Sequence, residues 1–202
     1  MANLNRDQPA GARSGFGRVL LLGALFGAPL IAALLLYRSG WKPASGIEHG
    51  TLLDPPRPLP EVALTRPDGS LAPPDTLRGA WTLIYLGDGA CDSRCMNTLA
   101  DLRQVRLALD KDASRVRRVF LYTGPCCPDG FPGPGERDLL VLNGDGPSGA
   151  ELLGRFPPPA MGGDSLYVID PLGNLILGYP AAGAARGLLA DLERLLRLSR
   201  IG

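Results

Sequence analysis

Histidine is almost missing from this 202-residue chain, which has one, His49. That count excludes HExxH zinc hydrolases and Cys2His2 fingers, which both need more than one histidine. It excludes a Ser-His-Asp triad unless His49 serves, and His49 lies in a Pro/Gly-rich approach segment. Net charge is lacking as well: 21 Lys+Arg stand against 20 Asp+Glu, leaving +1. Such a balance gives no global field for holding phosphate backbones, so no nucleic-acid partner is expected. Neither GxGxxG nor Walker spacing occurs, and Gly87 and Gly89 read as turn residues. No internal repeat is found. What is present, and able to carry chemistry, is a set of four cysteines.

Charge is absent in one stretch above all, Val19 to Tyr37. The run is close to the ~20 residues that cross a bilayer core. Pro29 in its middle is tolerable in a membrane helix. A cleaved signal peptide has a shorter apolar region of about 7–15 residues and a small-x-small cleavage site. The length, and the Tyr37-Arg38 ending with Trp41 beyond it, predict an uncleaved anchor. Arg6, Arg13 and Arg18 before the run outnumber Arg38 and Lys42 after it, which favours a cytoplasmic N-terminus by a small margin. All four cysteines follow the run, as suits an extracytoplasmic domain.

Gly (27) and Pro (20) total 47 residues, roughly 23% of the chain. They sort into three places: a polar tail, a SGWKP…DPPRPLP linker, and one internal loop. The expected organisation is a cytoplasmic tail (1–17), a transmembrane helix (18–38), a Pro-rich extended linker (39–60) and one domain (61–202).

Within that domain strand and helix patterns alternate. Trp81–Leu86 is a short β-rich apolar run and reads as a buried strand. Residues 92–109 place Leu99, Leu102, Val105 and Leu109 at helical spacing, with Asp101, Arg103, Arg106 and Asp110 on the exposed face. Val116–Tyr122 is a second buried strand. A Pro/Gly-rich loop follows to Glu136, then a short strand over 138–142 and a short helix over 149–156. Residues 166–170 and 175–179 flank Pro171-Leu-Gly-Asn174 and predict a hairpin. Residues 186–198 form an amphipathic last helix with Leu188, Leu189, Leu192, Leu195 and Leu196 on one side. A right-handed β-α-β unit with a hairpin and a helix after it is an α/β, thioredoxin-like fold, here preceded by one N-terminal transmembrane helix.

Cys91 and Cys95 fall where the first buried strand turns into the first helix. Residues four apart on a regular helix hold their Cβ atoms roughly 5–6 Å apart. A disulfide wants about 3.5–4.5 Å. The pair can therefore close if Cys91 precedes the helix and Cys95 is inside it. A thiol at a helix start sees the positive end of the dipole, and Arg94 adds a cation. Such a pair can cycle between dithiol and disulfide or offer two soft sulfurs to Cu(I). A purely structural disulfide is the plainer alternative. Cys126 and Cys127 sit in the loop after the second parallel strand, on the same sheet edge. They form a secondary pair, redox or structural. A 126–127 bridge, a cross-bridge to Cys91 or Cys95, and a thiolate metal cluster are all open. Trp81 and Tyr85 read as core aromatics.

The stretch from Leu77 through Trp81 to Cys91-Asp-Ser-Arg-Cys95 resembles the SCO/SenC family of membrane-anchored, thioredoxin-like proteins of cytochrome c oxidase assembly. Ser165-Leu-Tyr-Val-Ile-Asp-Pro-Leu-Gly173 resembles that family's later strand and turn. The resemblance implies copper handling by two Cys and a distal His, or thiol-disulfide oxidoreductase action on the Cys ligands of an oxidase copper centre; a Cu(I) carrier using Cys91 and Cys95 and a non-catalytic assembly scaffold are the alternatives. It implies a cytochrome c oxidase subunit or another assembly factor as partner. It also implies an inner-membrane location in a bacterium with a periplasmic C-terminal domain. The family His would fall at Gly162, and Met96 replaces the Pro that commonly follows the second Cys. Two sulfurs alone do not supply the imidazole that Cu(II) prefers, while Cu(I) accepts two or three soft ligands. Met161, beside the vacant position, is a thioether candidate, though Met more often fills gaps.

Overall fold

The structure is a computed structural model and describes residues 13–39, 49–157, 164–199 and 201. Two compact units divide the chain, residues 1–45 and 46–202. In the first, helix α1 (Arg13–Arg38) contains Pro29. Its part from Val19 to Arg38, 20 residues at a mean hydropathy of 2.6, is long and apolar enough to cross a membrane. At 1.5 Å per residue it covers about 30 Å, the thickness of a bilayer core.

The second unit is built on one six-stranded sheet. In chain order its elements are β1 (Thr51–Pro58), β2 (Trp81–Asp88), α2 (Ser93–Ala108), β3 (Val116–Thr123), β4 (Leu139–Asn143), α3 (Gly146–Leu153), β5 (Ser165–Ile169), β6 (Asn174–Pro180) and α4 (Ala185–Leu198). The spatial order is β1-β6-β5-β2-β3-β4. β2, β3 and β4 run parallel, while β5, β6 and β1 alternate antiparallel. The β-α-β unit, hairpin and final helix therefore stand as the patterning predicts.

Both faces of the sheet are covered, which is why β2 is a continuous apolar run and not an alternating one. On one face Trp81, Leu83 and Tyr85 meet Leu99, Leu102 and Val105 of α2 and Leu188, Leu192 and Leu196 of α4. On the other, Ile84, Val119, Leu142 and Ile169 meet Leu152 of α3 and Leu53, Leu59 and Leu77 from the N-terminal segments. The β5–β6 turn is fixed by Asp170, whose carboxylate accepts from Leu172 N (2.9 Å) and Asn174 N (2.8 Å). Gly173 takes a φ of +87° there, a conformation suited to glycine.

Two readings need correction. Residues 51–58 are not an extended linker: β1 pairs with β6 through Thr51 with Gly178 and Pro58 with Asn174, with an irregularity between Leu52 and Arg57. Leu53 and Leu59 enter the core. The sheet thus begins upstream of Glu61. Pro is compatible with an edge strand, where the missing N–H faces outward, so DPPRP composition disguises a strand. The second correction is Arg106. It is not on an open face, because its Nε donates to Val116 O (2.7 Å) and its guanidinium pairs with Asp138 (3.2 Å).

Candidate functional site

The site lies at the edge of the sheet where β2 ends. The chain leaves β2 through a turn in which Asp88 accepts from Ala90 N (2.7 Å) and Cys91 N (3.1 Å), the first with its side chain and the second with its carbonyl. Cys91 adopts a φ of +40°, unusual for a residue with a Cβ. Asp92 caps α2: its carboxylate accepts from Arg94 N and Cys95 N, both at 3.0 Å. The Cys95 amide and Arg94 hold the Asp92 carboxyl below its ordinary value. The cap starts the helix at Ser93, so Cys91 stands before it and Cys95 inside its first turn. That offset brings the Cα atoms to 5.0 Å, and Cys91 and Cys95 are disulfide-bonded. The bond is nearly closed to solvent, with Cys91 5% and Cys95 3% exposed. Arg94 points out to water and pairs with Asp92 at 3.5 Å, so the cation near the sulfurs is partly answered.

Aromatic rings belong to the same packed cluster as the pair. Tyr85 stacks on Phe120 with centroids 5.5 Å apart, and Phe131 meets Phe120 edge-on at 5.7 Å. The Tyr85 hydroxyl and the Trp81 indole nitrogen have no hydrogen-bond partner among the described residues. Burial, with the Asp164 carboxylate nearby, pushes the Tyr85 phenol well up from its ordinary value. Trp81 and Tyr85 are core aromatics, but each keeps an unanswered polar atom.

Cys126 and Cys127 are bonded to each other, which leaves no free thiol among the described residues. Their loop abuts the turn before Cys91: Gly89 N donates to Thr123 O (2.9 Å), and a Cβ on Gly89 would stand 2.6 Å from Pro125 O. Glycine is thus required at 89 for the two loops to meet. Both sulfurs pack, half-buried, against the cluster that holds Cys91 and Cys95. The rest of the crossover to β4 is secured from below. Arg118, with 0% exposure, donates to Glu136 (2.6 Å), to Asp138 (2.6 and 3.1 Å) and to Leu99 O (3.1 Å). Burial works against the Asp138 carboxylate, and Arg118 and Arg106 overcome it, holding that carboxyl below its ordinary value.

His49 belongs to a different cluster. Asp191 of α4, 4% exposed, accepts from His49 N (2.8 Å), Gly50 N (3.2 Å) and Tyr179 Oη (2.6 Å), and its other oxygen faces His49 Nδ1 at 3.1 Å. Burial pushes the Asp191 carboxyl up, but these bonds outweigh it and leave it below the ordinary value of 3.8. A Cβ on Gly187 would lie 2.6 Å from His49 Cβ, so glycine on α4 makes room for the segment. Neither this cluster nor the Arg118 cluster is foreseen from sequence patterning. The available signal is a charge inside a buried pattern: Arg118 within the strand run, Asp191 between Leu188 and Leu192 on the apolar stripe.

Met161 and Gly162 lie outside the described residues. Among the described residues no group of three or more His, Cys, Asp or Glu side chains is placed to hold a metal ion. Among the described residues the sulfurs at the site are those of the disulfide-bonded Cys91 and Cys95, with the Cys126–Cys127 disulfide packed against the same cluster, and the single imidazole is engaged at Asp191. That set does not fit a resident Cu(II), which calls for nitrogen and oxygen ligands in tetragonal array. A cleft of about 800 Å³ is walled mainly by the start of β1 (Thr51 to Pro55) and the end of β6 with the residues after it (Gly178 to Gly183), and α2 borders it with Arg94, Asn97 and Thr98; none of the four cysteines lines it.

Residues 81–199 match the family of transmembrane-like, thioredoxin-like C-terminal domains. The chain belongs to that family. Among solved structures it is similar to apo Sco1 from Thermus thermophilus, at 23% identity and a TM-score of 0.54, over 76% of this chain and 99% of that one. It is similar to BsSco, a Sco-family cytochrome c oxidase assembly protein with a disulfide switch (17%, TM-score 0.53, 74% and 99%). It is also similar to copper-bound yeast Sco1 (15%, TM-score 0.52, 79% and 96%). At these identities the likeness is one of fold. No curated protein matches the sequence. For this family member, the matched span begins with β2 and so includes both cysteine pairs, while β1 and His49 precede it.

Proposed function

We propose that this chain is a membrane-anchored thiol-disulfide exchange protein supporting cytochrome c oxidase assembly, acting through Cys91 and Cys95 on the copper-centre cysteines of a client. The carrying observation is the Cys91–Cys95 bond laid across the start of α2, with Arg94, between the two cysteines, on the border of a cleft. The oxidase setting is supported by the sequence resemblance to SCO/SenC proteins and by the fold shared with BsSco.

In the reducing direction a Cys91 or Cys95 thiolate attacks a client disulfide and forms a mixed disulfide. The remaining thiolate of the pair attacks that bond and releases the client as a dithiol. Two electrons and two protons pass to the client, and the Cys91–Cys95 bond re-forms. Exchange runs through thiolates, so its rate follows the thiolate fraction. The helix start contributes its dipole at Cys95, tempered by the Asp92 carboxylate that already accepts from the Arg94 and Cys95 amides. The apolar α1 suits an anchor in a bacterial inner membrane, and disulfides suit a periplasmic domain.

The test is a redox titration of the full chain in detergent, with thiols counted by alkylation and mass. The expected result is a two-electron Cys91/Cys95 couple above about −300 mV, the upper limit of inert structural bridges. A pair that stays oxidised below that potential, or full oxidase activity in a Cys91→Ser/Cys95→Ser strain, overturns the reading.

A further inference from the structure

We infer that Cys126–Cys127 is a second redox couple that passes electrons to Cys91–Cys95, so that the outer pair receives reducing equivalents and the inner pair delivers them. This rests on the exchange function proposed above and adds a route by which the inner pair is recharged.

Three observations carry it. The two disulfides sit on one sheet edge, on loops in direct backbone contact at Gly89, Thr123 and Pro125. Both belong to one packed cluster, Cys126 and Cys127 lying at its margin and Cys91 and Cys95 inside it. Exposure therefore falls from the outer pair to the inner one. Exchange requires the attacking sulfur to reach a target sulfur. A macromolecular dithiol meets the outer bond first. The client, by contrast, is assigned to the side of Arg94, which lies between the inner cysteines and borders a cleft walled mainly by β1 and β6. Loading and delivery then use different approaches. Phe131, seated on Phe120, and the Arg118 contacts to Glu136 and Asp138 fix the crossover that bears the outer pair, so it is held beside the inner pair and not free to swing away.

The chemistry balances without an additional oxidant. A donor dithiol reduces Cys126–Cys127 and becomes a disulfide. A thiolate of the outer pair then attacks a sulfur of Cys91–Cys95, releasing the other as a thiolate that takes up a proton. The second outer thiol resolves the mixed bond. The outer disulfide is restored, and two electrons and two protons now reside on Cys91 and Cys95.

The experiment uses the full chain in detergent, with reduced thioredoxin as a macromolecular dithiol and dithiothreitol as a small one. Appearance of Cys91 and Cys95 thiols is followed by rapid alkylation and peptide mass. Removing the outer pair by Cys126→Ser/Cys127→Ser is expected to slow thioredoxin-driven reduction of the inner bond at least tenfold, with the dithiothreitol rate changed less than twofold. Equal thioredoxin rates overturn the inference and leave the proposed function standing. An inner bond that neither reductant opens in the unaltered chain removes both. A second arm does not depend on rates. Variants keeping one cysteine of each pair, such as Cys95→Ser/Cys127→Ser, are mildly oxidised, and at least one of the four combinations is expected to form the inter-loop disulfide. Failure of all four overturns the relay.

Discussion

Two ionic clusters hold this domain together, and they are built in opposite senses. In one, the buried ion is a cation: Arg118 lies in β3 with Glu136 and Asp138 drawn to it from the crossover. Its side chain is wholly enclosed, while those of its partners keep some access to water. In the other, the buried ion is an anion: Asp191 lies on α4 and draws in the amides of His49 and Gly50 and the Tyr179 hydroxyl. The first fastens the loop of the outer cysteine pair. The second fastens the segment that leads into β1. The contrast teaches that the cost of a break depends on which partner is left behind. An ion stranded in the interior is expensive, and one returned to the margin is hydrated again.

The sharpest way to test the contrast is Asp138→Ala, which leaves the enclosed guanidinium with Glu136 as its carboxylate. A loss of about 3 kcal/mol is expected in urea unfolding of the full chain in detergent. Asp191→Ala removes the acceptor of four hydrogen bonds and is expected to cost about 2 kcal/mol. Acid reaches the same cluster by another route. Asp191 is depressed on folding, so its contribution is present above the ordinary value of 3.8 and is lost as pH falls through the lower folded value. Asp191→Asn should flatten the acid limb of a stability-against-pH curve, and an unchanged limb would separate Asp191 from that pH dependence. Arg118→Met withdraws the buried ion itself and should cost less than Asp138→Ala, about 1–2 kcal/mol. Equal losses for these two variants would break the rule drawn from the comparison. The smallest effect is expected at His49→Ala, below about 1 kcal/mol, because the ring is 59% exposed.

Much of the fold was readable because its signals are local. Trp81–Leu86 and Val116–Tyr122 announce buried strands, and the leucines of α4 announce one packed face. That Cys91 and Cys95 bond if the helix starts between them follows from helix geometry, while the cap that sets this start, Asp92, emerges only in the structure. What escaped is held by partners distant in the chain. His49 finds Asp191 across 142 positions, and Arg118 finds Asp138 across 20. No periodicity records such meetings. The strand β1 escaped for a different reason, since its prolines give it the composition of a linker. The adjacency of the two cysteine loops was inferable from parallel strands ending on one edge, but their contact at Gly89 needed the folded chain.

That proline-rich strand has a bearing on how copies of the protein meet. β1 and β4 are the outer strands of the sheet. A bare outer strand invites another chain to pair with it. Pro55, Pro56 and Pro58 leave β1 without three of its amide donors, so it makes a poor template for a neighbour. For molecules tethered to a bilayer and confined to two dimensions, edge-on encounters are frequent. A strand that satisfies its own sheet offers little to the next one, so β1 is the guarded edge and β4 the open one.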